Sequence, residues 1–529
     1  MVNLLPLVLA LGATAAVARP SAGRLAPRQS SCSLTWNGST ISGTPDGPDG
    51  VCRYTIRYGT AARWANAAAA TSAGNPLTSA TQSEDCLYIT LYVPVDATST
   101  DRQPILAWLH GGAYSYGSDS AAGFDGAGLA ANGGIIVAAI QYRLGVLGNL
   151  PPSVAPLASD PNFALRDVIL ALDTLRAREL DFHGDKDLLS LGGQDSGASI
   201  IRALWGVPAA VDKFSSMILQ SDPLSYGFAS AATTTSLRSL FASQPSLSGL
   251  TLSTFANWQA LSLSTLLTAQ GDLLASASAS IAGLPLTGAL RPTWGTTTLP
   301  HDPTRSLFNT PSELEIDPTA VRLLITNTKN EAGGLAQYIW PESVTLNSTR
   351  YNGVLSALLG SSRATTLQAS GSTYALPTSG SGDLMRSTLE KTITDGAWRC
   401  PARTLAQAYA AAGGTVFVGE FTKGVTYPTN SIGSTSYCTG SVVCHTDDIY
   451  PTFGSSPSPS SATITLQNEI SAAWTDFINE LTPSGWTAFT STSGLSGTNV
   501  KGIGGGSVGS CPSSYWGSTV QWDWQIYTT

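Results

Sequence analysis

LSLGGQDSGASIIRA, residues 189–203, reads as a short apolar strand, a glycine pair, a tight turn and the start of a small-residue helix. In the pattern G-x-S-x-G the middle place, at the crown of such a turn, carries a nucleophilic serine. From Gly193 to Gly197 that middle place holds Asp195, and Ser196 stands one residue later. The flanking chain shows what surrounds this carboxylate.

Working outward, "CLYITLYVP" (86–94), "PILAWLHGG" (104–112) and "GIIVAAIQYRLG" (134–145) are β-rich runs, and "ALRDVILALDTLRARE" (164–179) follows them. In that last run Leu165, Val168, Ile169, Leu172 and Leu175 recur at helical spacing, so one helix face packs on a sheet. Strands separated by helices predict an α/β sheet covered on both faces. "AVRLLITNTKNE" (320–331) and "GTVFVGEFT" (414–422) are later strands, and the Ser/Ala/Leu/Thr-rich stretch 230–300 is expected to form helices over the active-site side.

The composition closes off other classes. The 529 residues are 42% hydrophobic, enough for one large core. Only 27 Lys and Arg, scattered along a chain of net charge -8, leave no basic footprint for nucleic acid or an anionic membrane surface. Residues 1–18 resemble a secretory signal cleaved before Arg19. Their apolar run is shorter than the roughly 20 residues of a spanning helix, so no stable membrane insertion is expected. Residues 19–50 read as a leader and N-terminal segment, and 51–529 as a single domain.

Seven cysteines in an exported chain imply disulfides and an odd thiol. Cys52 with Cys86 and Cys438 with Cys444 are the preferred pairs. Cys32, Cys400 and Cys511 stay unassigned, since sequence does not fix connectivity. Asn37 and Asn347 lie in glycosylation sequons. With neither metal-ligand spacing nor a nucleotide-binding loop, no metal or other cofactor is expected; the oligomeric state is not legible.

"HGGAYSYGS" (110–118) follows a predicted strand, and its glycines let backbone N–H groups face a bound anion. Together with "SEDCLYITLYVP", "QYRLGVLGNL" and the turn at 193–197, it resembles the type-B carboxylesterase family, which includes cholinesterases and fungal secreted lipases. The resemblance runs from about Val51 to Trp486. Its ungapped section aligns Asn162, Leu165, Asp167, Ala171, Leu172, Phe182, Gly184, Asp185, Leu191, Gly193 and Gly197, a register that places Asp195 at the nucleophile position.

The resemblance implies an α/β-hydrolase fold: a large, mixed, mostly parallel central sheet with helices on both faces and helical insertions over the active site. It nominates Glu331, in "ITNTKNEAGG", as triad acid and His445, in "CHTDDIYPTFG", as base. Gly112, Ala113 and Ser196 would supply the oxyanion-hole N–H groups. His183 stands where the family has glycine. Gly192 replaces an aromatic and would leave room beneath the turn, and Gln194 replaces a glutamate. Arg143 with Asp167 and Glu84 with Arg63 are expected to be structural pairs, and Trp474 a core residue.

The expected function is a secreted carboxylesterase- or lipase-like hydrolase of small organic esters or epoxides working through Asp195, His445 and Glu331. The alternatives are a catalytically inactive binding or scaffold protein, and a displaced nucleophile at Ser196.

Overall fold

The computed structural model describes residues 32–526 except 47–49, 74–82, 99, 101, 122, 282–287, 381–382, 431–436 and 513–514. The expected signal, residues 1–18, and the start of the leader lie outside these residues.

Ten strands form one sheet: β1 (Thr44–Asp46), β2 (Val51–Arg57), β3 (Tyr88–Pro94), β4 (Gln103–Leu109), β5 (Ile136–Ile140), β6 (Gly184–Gln194), β7 (Ser216–Gln220), β8 (Arg322–Thr328), β9 (Val416–Phe421) and β10 (Val500–Ile503). Their spatial order is β10-β9-β8-β7-β6-β4-β5-β3-β2-β1. Pairings from β10 through to β5 are parallel, and those joining β5, β3, β2 and β1 are antiparallel. This is the mixed, mostly parallel sheet of the α/β-hydrolase fold.

Both faces are covered, which is why "YITLYVP" and "IVAAI" are buried throughout rather than alternating with polar residues. Along β4, Ile105, Ala107 and Leu109 enter one core and Leu106 and Trp108 the other, as the two-residue period of a strand dictates. The helix Phe163–Ala177 packs Leu165, Val168, Ile169, Leu172 and Leu175 into the first core. The helix Ser461–Glu480 covers the second with Trp474 and Phe477. Trp474 is a core residue, its indole N–H donating to Gln220 Oε1 at 3.0 Å. The helices Ala231–Ala242 and Leu263–Ser280 build a separate core with Val146 and Phe163.

The cysteine pairing differs from expectation at one point. Cys438 joins Cys444, but Cys52 joins Cys32 instead of Cys86, and Cys400 joins Cys511. The ladder explains it. Cys52 lies opposite Val93 in the antiparallel β2–β3 pair, whereas Cys86 precedes Tyr88, whose partner is Arg57 at the far end. At about 3.3 Å per residue the two cysteines are several rungs apart, well beyond disulfide reach. Cys52 instead shares a face with Leu34 and Trp36 of the hairpin formed by Ser33–Trp36 and Ser39–Ser42. That hairpin and β1 build part of the segment before Val51 into the domain.

Cys86 is left as a free thiol, and burial pushes it up to about 12. A thiol reagent such as dithionitrobenzoate is therefore expected to find no reactive cysteine in the native protein and one per chain in denaturant. Fast reaction of the native protein would show the site to be open.

Candidate active site

The turn after β6 leads directly into the helix Ser196–Leu204, and Asp195 sits between them at φ 53°, ψ -123°. That positive φ is a conformation L side chains rarely adopt. The flanking glycines permit it: a Cβ on Gly197 would lie 2.2 Å from the Leu109 carbonyl oxygen, and one on Gly193 2.8 Å from the Gly197 backbone. The room expected beside Gly192 is absent. Trp108, on the neighbouring strand, fills it, so that a Cβ there would meet the indole at 2.8 Å.

The loop after β4 closes over the turn. Gly111 passes so near that a Cβ would meet Gln194 and Asp195 within 3 Å, and Gly112 takes φ 126°. The N–H groups of Gly112 and Ala113 both donate to Asp195 Oδ2, each at 3.0 Å. Two of the three expected oxyanion donors thus converge on one point, and the chain's own carboxylate occupies it. Ser196 opens the helix with its hydroxyl buried and without a hydrogen-bond partner among the described residues, which does not favour it as a displaced nucleophile. His110 props the loop: it stacks on Tyr142 at 4.9 Å, and burial lowers its pKa to about 4, so it is neutral.

Across from Asp195 lies His445. Its Nδ1 is 2.7 Å from Glu331 Oε2, and its Nε2 is 3.7 Å from Asp195 Oδ1. Glu331 is held by the Thr328 N–H, which donates to Oε1 at 2.6 Å, and its own carbonyl accepts from the His445 N–H at 3.3 Å. The Cys438–Cys444 disulfide packs on the turn after Glu331, where a Cβ on Gly333 would meet Cys444 Sγ at 2.3 Å. It therefore couples the loops that carry acid and base. Trp398 lies 5.7 Å from the imidazole, its indole N–H donating to the Ser221 carbonyl.

Burial opposes charge on His445, but the hydrogen bond and charge of Glu331, with Asp195 and Asp448 behind them, outweigh it and raise the pKa to about 9. At neutral pH the ring is an imidazolium between two carboxylates. The side chains of Asp195 and His445 are 19% and 24% exposed, so the pair is reachable from solvent. Structure thus brings together Asp195, Glu331, His445, Gly112 and Ala113 as one constellation, with Asp195, Glu331 and His445 in the chain order expected of an α/β-hydrolase triad.

Residues 30–498 match the model of the carboxylesterase family. The chain belongs to this family. The para-nitrobenzyl esterase of Bacillus subtilis is 39% identical to it over 140 residues, 26% of this chain and 28% of that protein. Carboxylesterase 3B of Mus musculus is 34% identical over 139 residues, 26% and 24% of the two chains. Neuroligin-2 of Rattus norvegicus is 38% identical over 142 residues, 23% and 16%. The matches thus span less than a third of these relatives' own lengths. A thermophilic PNB esterase structure superposes with a TM-score of 0.68 at 23% identity, covering 87% of this chain and 94% of the other, which bears on the fold.

In this carboxylesterase-family protein the expected structural pairs form away from the cleft. Arg143 holds Asp167 through Nε at 2.7 Å and Nη2 at 2.6 Å, and Arg63 Nε donates to Glu84 at 2.9 Å. His183 takes φ 62°, a left-handed conformation that favours glycine. Asn37 and Asn347 are both exposed. Among the described residues no helix is long and apolar enough to cross a membrane.

Sequence reasoning missed the cleft beside Asp195. Ala113, Tyr114, Pro223, Tyr226, Gly288 and Arg291 line it with Asp195. Its empty space is about 280 Å³ with the open mouth included. Only one signal pointed there: Arg291 is the single charged side chain between Asp272 and Asp302.

Proposed function

We propose that the protein is an exported hydrolase of small organic esters or epoxides that works through a covalent ester on Asp195. The observation that carries this reading is the division of labour between the two carboxylate oxygens. Oδ2 rests on the Gly112 and Ala113 N–H groups, while Oδ1 faces the imidazole. A substrate carbonyl finds its hole already filled, and attack on it would give a mixed anhydride. Attack by Oδ1 on a saturated carbon, such as that of an epoxide, needs no hole in the first step and leaves a stable ester.

The proton inventory closes. Oδ1 forms a bond to carbon as the ring C–O bond breaks, and the His445 imidazolium gives its Nε2 proton to the released alkoxide. The ester has removed the charge on Asp195, which makes the neutral imidazole easier to keep. It then takes a proton from water as hydroxide adds to Cγ, and Oδ2 becomes the oxyanion on the two N–H groups. Collapse expels the product alkoxide, which the imidazolium protonates. The resulting aspartic acid returns its proton to His445. An alkyl ester can enter the same scheme by attack at its alkyl carbon, with carboxylate as leaving group.

Single turnover in heavy-oxygen water is the test. One labelled oxygen is expected in the Asp195 carboxylate, read by peptide mass. Turnover without that label would remove the covalent route. Export is supported by the three disulfides and by the signal-like residues 1–18.

One observation favours a second reading, binding without turnover. The same two N–H groups that would stabilise a transition state are satisfied in the resting protein by a fixed ion pair. An Asp195→Ser variant separates the two readings.

A further inference from the structure

Arg291 is 4% exposed, yet its Nε and Nη1 have no hydrogen-bond partner among the described residues. The other buried arginines of this molecule are matched: Arg202 by Asp222, Arg143 by Asp167, Arg399 by Asp395 and Glu420. The carboxylates whose charge reaches Arg291 are engaged elsewhere. Asp523 is 2.6 Å from Arg363, and Asp302 caps its own helix through the N–H groups of Thr304 and Arg305. No carboxylate of the described residues lies within ion-pair distance of Arg291, and the segment 282–287, AGLPLT, contains no acid.

Holding a guanidinium away from water with no hydrogen-bonded carboxylate is expensive, and an anion brought up to it offsets that cost. Arg291 lines the same cleft as Asp195. Tyr114 and Tyr226, whose hydroxyls stay protonated because burial drives their pKa upward, line it without adding negative charge. We infer that the cleft is an anion subsite: Arg291 binds a carboxylate carried on the substrate, so the preferred substrates are small acids bearing the ester or epoxide on the same skeleton. This rests on the hydrolase reading for the word substrate, but the subsite itself does not. A substrate carboxylate is repelled by the like charge of Asp195 unless a cation offsets it, so it reaches this cleft through Arg291 or not at all.

Equilibrium titration of the full chain with butyrate and with butyramide, two probes of similar size, tests it. Butyrate is expected to bind at least about tenfold more tightly, the scale of charge-assisted hydrogen bonds. Arg291→Met, which removes the charge, is expected to lose that preference. Equal binding of the two probes by the unaltered protein overturns the inference without any variant. So does a folded Arg291→Met protein that still prefers butyrate, since the anion then sits elsewhere. Heavy-oxygen labelling of Asp195 with no butyrate preference would leave the hydrolase reading standing and remove the subsite. Butyrate preference without labelling would do the reverse.

Discussion

Asp195→Ser is expected to raise hydrolysis of p-nitrophenyl acetate by at least about a hundredfold over the unaltered protein, the scale of an oxyanion-hole contribution. The argument is geometric. Serine at this place reaches less far than aspartate, so it vacates the point where the Gly112 and Ala113 N–H groups converge, now filled by Oδ2 at 3.0 Å. The carbonyl oxygen of an ester can then enter. The same change removes one of the two charges beside His445, whose Nε2 already faces the crown of the turn from 3.7 Å. Glu331 still holds Nδ1 at 2.7 Å, so the base remains oriented. Nothing in the backbone has to move, because Gly193 and Gly197 already support the positive φ. Initial rates for the two proteins at matched folded concentration are the measurement. A folded serine variant with no gain would mean that the remaining machinery is not competent, and it would favour binding without turnover.

Local pattern carried much of this, and its failures have a common physical origin. Asp195, Glu331 and His445 are legible because each sits in a short segment whose strand, turn and loop chemistry is written in adjacent residues. The sheet is legible for the same reason, since Leu165 to Leu175 and the apolar runs around them fix which faces are buried. Cys52 and Cys86 misled because disulfide reach depends on ladder register, which places Cys52 opposite Val93. Gly192 suggested room that Trp108 fills from a different strand. The occupied oxyanion hole was also not legible, since it arises only where residues about eighty positions apart meet. Arg291 carries no motif, and its significance is the absence of a partner in space.

Native-state stability is expected to fall by at least about 2 kcal/mol between about pH 7.5 and pH 9.5, and the largest single source is His445. Its pKa rises from 6.5 to about 9 on folding, so the folded state binds the proton more tightly than the unfolded chain. That contribution, about 3 kcal/mol, is fully present below pH 6.5 and is lost as pH rises through about 9. The buried carboxyls Asp447, Asp448 and Glu390, raised to about 6, 7 and 7, complete most of their own titration below this window. The amide nitrogen of Gln194 lies 3.1 Å from Nε2, where it can donate to the neutral ring. Urea unfolding at the two pH values gives the drop, and His445→Gln gives its assignment. The variant is expected to be less stable at both values and to keep only the smaller fall that Cys86, raised to about 12, and the buried tyrosines contribute by ionising more readily in the unfolded chain. An unchanged drop in His445→Gln would mean that another group holds the proton. It would also deprive Asp195 of the imidazolium on which both its resting ion pair and its proposed covalent chemistry depend.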